Sequence, residues 1–207
     1  MPLLCEAFPP DAAAHEAPAR AVIGTPETVL LTALRPDVAL ALWLREEPSG
    51  FGKPLRPLRQ AGAFRALAEG TPDEALDLLC EQLPAGAPME LLSDMLRLSH
   101  MFAVLTRNEH VRLRFDGITG DACRKFHVDS VGFRLLVTYA GPGTQWSMGD
   151  PESGAGIEEV PRCSVVLFRG RKREGATTLH RSPPLSHLPE AQRSRLVFCI
   201  DEPECCA

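Results

Sequence analysis

A chain of 207 residues, 44% hydrophobic and 24% charged, is long enough to bury one proper core and has the composition of an ordinary soluble globular protein. Its net charge of −5 argues against a broad electrostatic footprint for nucleic acid, and no run approaches the ~18 consecutive apolar residues of a membrane span. The N-terminus lacks a basic segment followed by an apolar one, so a cytoplasmic location is the expectation; the seven cysteines form no CxxC pair and read as reduced thiols.

Residues 1–20, rich in Ala and Pro, predict a poorly ordered N-terminal segment. Residues 21–107 then read as a mainly helical part. ETVLLTAL suits a short strand or a first turn. In RPDVALALWLRE, Asp37 after Pro36 can cap a helix, although VALALWL equally alternates as a buried strand. Trp43 is expected as a core anchor. The Pro- and Gly-dense residues 46–60 predict a loop and a hinge, with Lys53, Arg56 and Arg59 solvated. AGAFRALAEG reads as a short helix ending at Gly70. Thr71-Pro72-Asp73-Glu74 starts another, with a capping residue, Pro in the first turn and two acids where the helix dipole favours them. A longer helix follows, in which Leu91, Leu92, Met95, Leu96, Leu98 and Met101 recur at helical spacing.

The period then changes, and residues 108–207 form the β part. Val111, Leu113 and Phe115 alternate with Arg112, Arg114 and Asp116, as in a half-buried strand, and Asp116-Gly117 suggests a turn. Helices first and strands later predict an α+β fold, with N-terminal helices laid on a C-terminal barrel-like sheet. The richest stretch is KFHVDSVGFRLLVTYAGPGTQW, residues 125–146. On a strand His127 and Asp129 leave the same face. An imidazole beside a carboxylate supplies two ligands of a 2-His-1-carboxylate triad, the open site preferred by non-haem iron(II). His180, in TTLHRSPP, is placed to be the third. SVVLFRG, TTLH and RLVFCID read as further strands, an order of strand, turn and His that fits a jelly-roll metal site. Cys123 stands four before His127; thiolate with imidazole suits zinc(II), while a small buried apolar residue is the plainer reading. The acidic, Gly-rich segment 147–160 predicts a rim loop, and the basic run RGRKREG a solvated turn. No nucleophilic triad, phosphate loop or dinucleotide fingerprint is present.

The segment from His127 to Asp201 resembles the double-stranded β-helix (cupin-like) core of iron(II)/2-oxoglutarate-dependent dioxygenases, in particular the prolyl-hydroxylase-like branch. The residues that carry the likeness are His127, Asp129, Arg134, Thr138, Tyr139, Gly143, Thr144, Trp146, the run VVLF at 165–168, His180, and Arg193 or Arg195. More closely, CRKFHVDSVGFRLLVTYAGPGTQW resembles an uncharacterised bacterial family, a domain of unknown function often found near zinc-responsive genes. The superfamily resemblance implies iron(II) on His127, Asp129 and His180, with 2-oxoglutarate as co-substrate. The far carboxylate of a keto-acid calls for a guanidinium fork, and Arg195 is favoured over Arg193 because RLVFCID is the apolar strand. Tyr139, Thr138 and Arg134 are expected to contact the bound acid. The longer connection SHLPEAQ between His180 and these arginines departs from the family pattern. Two functions follow as expectations: a dioxygenase acting on a small molecule or a protein side chain, or a non-catalytic zinc(II)-handling protein on the same fold. Neither a nucleic-acid nor a membrane partner is expected.

Overall fold

VALALWL is a strand because both of its faces are buried. Leu40 and Leu42 enter one hydrophobic cluster while Ala41 and Trp43 enter another, the pattern of a strand inside a sheet covered on both sides. The computed structural model describes residues 18–48 and 51–203. The expectations for residues 1–17, Cys205 and Cys206 lie outside the described residues.

In chain order, β1 (Arg20–Gly24) leads through a 3-10 helix at Glu27–Leu34 to β2 (Val38–Trp43). The segment expected as a loop carries a 3-10 turn at Lys53–Leu55 and the short helix α1 (Arg56–Gln60). Next come β3 (Phe64–Gly70), α2 (Pro72–Cys80) and α3 (Met89–Thr106). The strands β4 (Val111–Ile118), β5 (Phe133–Ala140), β6 (Gln145–Ser147), β7 (Glu158–Glu159), β8 (Val165–Arg169), β9 (Leu179–Arg181) and β10 (Arg195–Asp201) complete the chain. A seven-stranded sheet runs β1-β2-β8-β5-β10-β4-β3, and a three-stranded sheet runs β7-β6-β9. No helix among the described residues is long and apolar enough to cross a membrane.

Two of these elements correct the sequence reading. FRALAEG is a strand, not a helix: it pairs antiparallel with β4 from Phe64↔Gly117 to Gly70↔Val111. Its alanines favour helix by propensity, but Ala66 and Ala68 are buried against the helical layer, and that packing decides. Asp116-Gly117 is not a turn either. A Cβ at Gly117 would sit 2.4 Å from the Phe64 ring, so the glycine lets that ring cross β4 within the sheet. The residues 21–107 therefore hold three strands of the large sheet as well as its helices. The cap of α2 is as expected, with Thr71 and Glu74 forming a reciprocal capping box.

The two faces of the large sheet have different jobs. Leu135, Val137 and Tyr139 of β5, with Leu196, Phe198 and Ile200 of β10, pack under α3 residues Met95, Leu98 and Phe102. The alternate residues Leu136, Val166, Phe168, Val197 and Cys199 face the small sheet, where Trp146 and Val160 cover them. This is a jelly-roll layout of two facing sheets, with helices outside the larger one. Tyr139 belongs wholly to the helical side. Its hydroxyl donates to Asp94 Oδ2 at 2.7 Å, and Asp94 also accepts two bonds from Arg45 at 2.6 Å each. Burial, reinforced by the Asp94 charge, pushes the Tyr139 phenol well above its ordinary value. Tyr139→Phe is expected to cost about 1 kcal/mol in urea unfolding, because Asp94 keeps its Arg45 partner. An unchanged unfolding midpoint would contradict this account of the helical face.

Candidate metal centre

Backbone pairing brings the ligands together. His127 lies in the connection between β4 and β5 and forms a single antiparallel bridge with His180 of β9, with N–H···O distances of 3.0 Å in both directions. Two imidazoles on directly opposed residues must then share a face, and their ring centroids are 4.7 Å apart. Asp129 follows two residues on. One potential ligand atom from each of His127, Asp129 and His180 lies within 4.8 Å of the others.

Each side chain is held by neighbours that leave one atom for an ion. His127 Nδ1 is 2.9 Å from the Lys125 carbonyl, so Nδ1–H donates there and the Nε2 lone pair turns inward. The His180 ring stacks on Phe168 at 4.3 Å. Its Nε2 lies 2.9 Å from Asp129 Oδ2, yet Oδ2 is buried without a properly aligned hydrogen bond. Two donor atoms facing each other without a good bond between them suit a common cation. A buried carboxylate with two imidazoles fits non-haem iron(II), which accepts mixed N and O ligands and keeps open positions. Burial opposes ionisation of Asp129, but the close imidazoles of His127 and His180 and the positive charge of Arg134 hold its carboxyl well below the usual range. The neighbouring Asp129 carboxylate raises the His127 pKa against the effect of partial burial.

Arg134 is a positioning residue. Its Nη1 donates to Asp129 Oδ1 at 2.5 Å, and its Nε and Nη2 fork onto the two oxygens of Asp201 at 2.6 Å each. Oδ1 of Asp129 is thereby occupied, with His127 Nε2 3.6 Å from it, and Oδ2 is left to face His180. Burial works against the Arg134 charge, but the carboxylates more than offset it and raise its pKa. The sequence pointed to Arg134 as a contact of a bound acid; the structure gives both ends of its fork to protein carboxylates.

Arg195 has the opposite surroundings. It is 1% exposed, and every partner is a neutral oxygen: Pro142 O at 2.7 Å, Thr144 Oγ1 at 3.3 Å, Thr138 Oγ1 at 3.4 Å, and Ser182 Oγ. Burial lowers its pKa to about 10. A guanidinium held in this way, with no carboxylate at ion-pair distance among the described residues, is costly unless an anion joins it. Ser182 lies two residues after His180, so the arginine cradle and the triad are neighbours along one strand direction.

The remaining expected residues are placed as follows. Thr138 faces the Arg195 cradle; Tyr139, of opposite parity, does not. Arg193 is exposed after a short 3-10 helix and bonds the Leu188 carbonyl at 2.8 Å, away from the cradle. Cys123 is exposed and outside the triad cluster, so the thiolate of the zinc reading is not among the gathered ligands. Ser182 and Asp201 escaped the sequence reading. The first could have been found by strand parity from His180, while the second depends on the pairing of Asp201 with Arg134 across β10 and β5.

Comparison with known proteins agrees with this architecture. The structure is similar to a dioxygenase for auxin oxidation from rice, with 13% identity, 88% of this chain and 82% of that one covered, and a TM-score of 0.53. It is similar to dioxygenase for auxin oxidation 1 from Arabidopsis thaliana in its 2-oxoglutarate complex, with 10% identity, 88% and 91% coverage and a TM-score of 0.51. JOX2, solved with 2OG, Fe and JA, matches with 10% identity, 92% and 77% coverage and a TM-score of 0.52. The chain thus has the fold of this dioxygenase class. Residues 24–201 match the model described as "Protein of unknown function (DUF1826)", and the chain belongs to that family. No curated protein matches the sequence.

Breaking the buried clamp should be expensive. Arg134→Met leaves Asp129 and Asp201 facing each other without a cation and is expected to lower the unfolding free energy by roughly 3–5 kcal/mol. Adding Asp201→Asn should recover part of that loss. Denaturant melts of the single and double variants check this; additive losses would refute the clamp.

Proposed function

We propose that the chain is an iron(II)/2-oxoglutarate-dependent oxygenase. His127, Asp129 and His180 hold the iron, and Arg195 holds the far carboxylate of 2-oxoglutarate. The observation that carries this reading is the buried Arg195 guanidinium. It is satisfied by neutral oxygens alone and stands beside Ser182, two residues from His180. Side chains two apart on a strand are about 7 Å apart, a span that a five-carbon diacid bridges with one end on the arginine and the other at the metal. The hydroxyls of Thr138, Thr144 and Ser182 orient the fork and can rotate to donate to the incoming carboxylate. The complexes of the structural neighbours with 2-oxoglutarate lend support at the level of fold.

When bound, the iron and co-substrate supply oxygen chemistry in which 2-oxoglutarate is oxidised to succinate and carbon dioxide while a second oxygen atom goes to the substrate. The protein's contribution is positioning. Phe168 fixes the His180 ring, the Lys125 carbonyl fixes the His127 tautomer, and Arg134 leaves a single Asp129 oxygen to face the metal. A zinc-handling role without catalysis gives no use for the hydroxyl-lined cradle of Arg195, and Cys123 stands outside the cluster.

Anaerobic titration calorimetry tests the reading. Wild type is expected to bind one iron(II) or manganese(II), and His180→Ala to lose that binding. Arg195→Met should keep the metal and weaken 2-oxoglutarate by roughly 100-fold, the scale for unpairing a buried charge. Succinate release by wild type then reports turnover. Equal 2-oxoglutarate affinity in wild type and Arg195→Met would reject the assignment.

A further inference from the structure

Trp146 is 6% exposed, and its ring belongs to the apolar cluster that the two sheets enclose. Its indole Nε1–H is buried with no hydrogen-bond partner among the described residues. A buried indole N–H usually has one, because leaving the bond unmade costs the full desolvation of the donor. The other tryptophan of the chain follows that rule: Trp43 Nε1 donates to the Thr25 carbonyl at 2.7 Å. Asp129 Oδ2 and His180 Nδ1, both at the metal centre, lack partners as Trp146 does.

Backbone register places this donor beside the ligands. β6 and β9 pair with Trp146 directly opposite His180, so the two side chains share a face. On its other side His180 is bridged to His127. Trp146, His180 and His127 thus form one row across three chain segments. Thr144, two residues before Trp146, and Ser182, two residues after His180, both bond Arg195 through their hydroxyls. Residues two apart along a strand lie about 7 Å from each other, and cross-strand neighbours about 5 Å. The indole therefore stands in the metal row, one strand from His180 and one step from the arginine cradle. An indole N–H can only donate, so the group that completes it must be an acceptor, as a carboxylate oxygen is.

We propose that Trp146 is a further binding residue of this site: its Nε1–H donates to an oxygen of the dicarboxylic acid that Arg195 holds. Identifying that acid as 2-oxoglutarate rests on the oxygenase reading; the unpartnered donor and its place opposite His180 do not. The acid then meets two donors on different strands. The guanidinium supplies the charge, and the indole, fixed on the apolar cluster, sets the direction in which the carbon chain leaves the cradle.

The two tryptophans give two indole N–H peaks in a proton–nitrogen correlation spectrum, and Trp43→Phe and Trp146→Phe assign them. The full chain is loaded with zinc(II), a diamagnetic stand-in for iron(II), and titrated with 2-oxoglutarate. The Trp146 peak is expected to move downfield as its N–H gains a charged acceptor, while the Trp43 peak stays. Calorimetry on Trp146→Phe should show unchanged zinc(II) affinity and 2-oxoglutarate weakened about tenfold, the scale for one hydrogen bond to a charged group. Should Trp146→Phe lose zinc(II) as well, the wild-type spectrum alone decides. Binding of 2-oxoglutarate that leaves the Trp146 peak in place, or that is equally tight in wild type and Trp146→Phe, overturns the proposal and leaves the oxygenase reading standing. Succinate, added to the metal-free chain, separates the two in the other direction. If 2-oxoglutarate does not bind the zinc-loaded protein, yet succinate moves the Trp146 peak in wild type and not in Arg195→Met, the donor role stands and the oxygenase reading falls. If neither acid moves the peak, the proposal falls.

Discussion

The backbone pair between His127 and His180 is the constraint on which the site depends. Two reciprocal N–H···O bonds of 3.0 Å fix the separation of the two imidazoles before any side chain chooses a rotamer. His127 would otherwise be one residue of a long connection between β4 and β5. The bridge attaches it to the edge of the small sheet, and Asp129, two residues on, is carried to the two imidazoles. The large sheet enters through Phe168, whose ring lies against His180, and through Arg134, which grips Asp129. Each ligand thus reports the relative position of both sheets, which makes the site rigid at the cost of coupling it to the whole fold.

The inner face of the large sheet is divided. On β2 and β8, Leu40, Leu42, Val166 and Phe168 form a dry half under Trp146. On β4 and β10, Arg112, Arg114, Asp116 and Asp201 form a charged half, joined to the dry half by Arg134 of β5. Burying ions costs free energy that only good partners return. Arg134 has two carboxylates. Asp116 takes Arg65 at 2.8 Å and Arg114 at 3.0 Å. Arg195 and Arg169 are both buried among neutral oxygens, but the partners of Arg169 are all backbone carbonyls, those of Val38, Glu174, Ala33 and Arg35, whereas three of the partners of Arg195 are hydroxyls that can turn to donate to an incoming anion.

Much of this was legible in the sequence, for identifiable reasons. β5, β8 and β10 are apolar runs bounded by Gly and polar residues, and the capping box of α2 is local chemistry, so each could be read without tertiary information. β3 could not. FRALAEG is short and Ala-rich, and its state is decided by β4, whose sequence is remote. Among site residues, the His-x-Asp spacing and the later His were sufficient to place the triad on a common surface. Thr138 and Tyr139 were both expected at the site, although adjacent strand residues face opposite ways. Parity alone would have removed Tyr139 and added Ser182. The role of Arg134 was hidden because its partner Asp201 is fixed by register between strands, not by spacing along the chain.

The long connection from His180 to Arg195 shows why spacing is the weaker guide. The chain leaves β9 and is tied down by Asp121, whose Oδ1 accepts from the Leu185 and Ser186 amides at 2.7 and 2.9 Å. It then returns through a 3-10 turn to β10. Where Arg195 ends up is set by β10, which pairs it with Ile118, and by the turn at Gly141. Gly141 has φ +82°, and a Cβ there would lie 2.8 Å from Arg195 Cγ and 2.3 Å from the Ser194 carbonyl. The glycine admits the arginine stem, and the next carbonyl, Pro142 O, receives its Nε. Extra residues between His180 and Arg195 therefore lengthen a surface excursion without moving the guanidinium, since sheet register and one glycine determine its position.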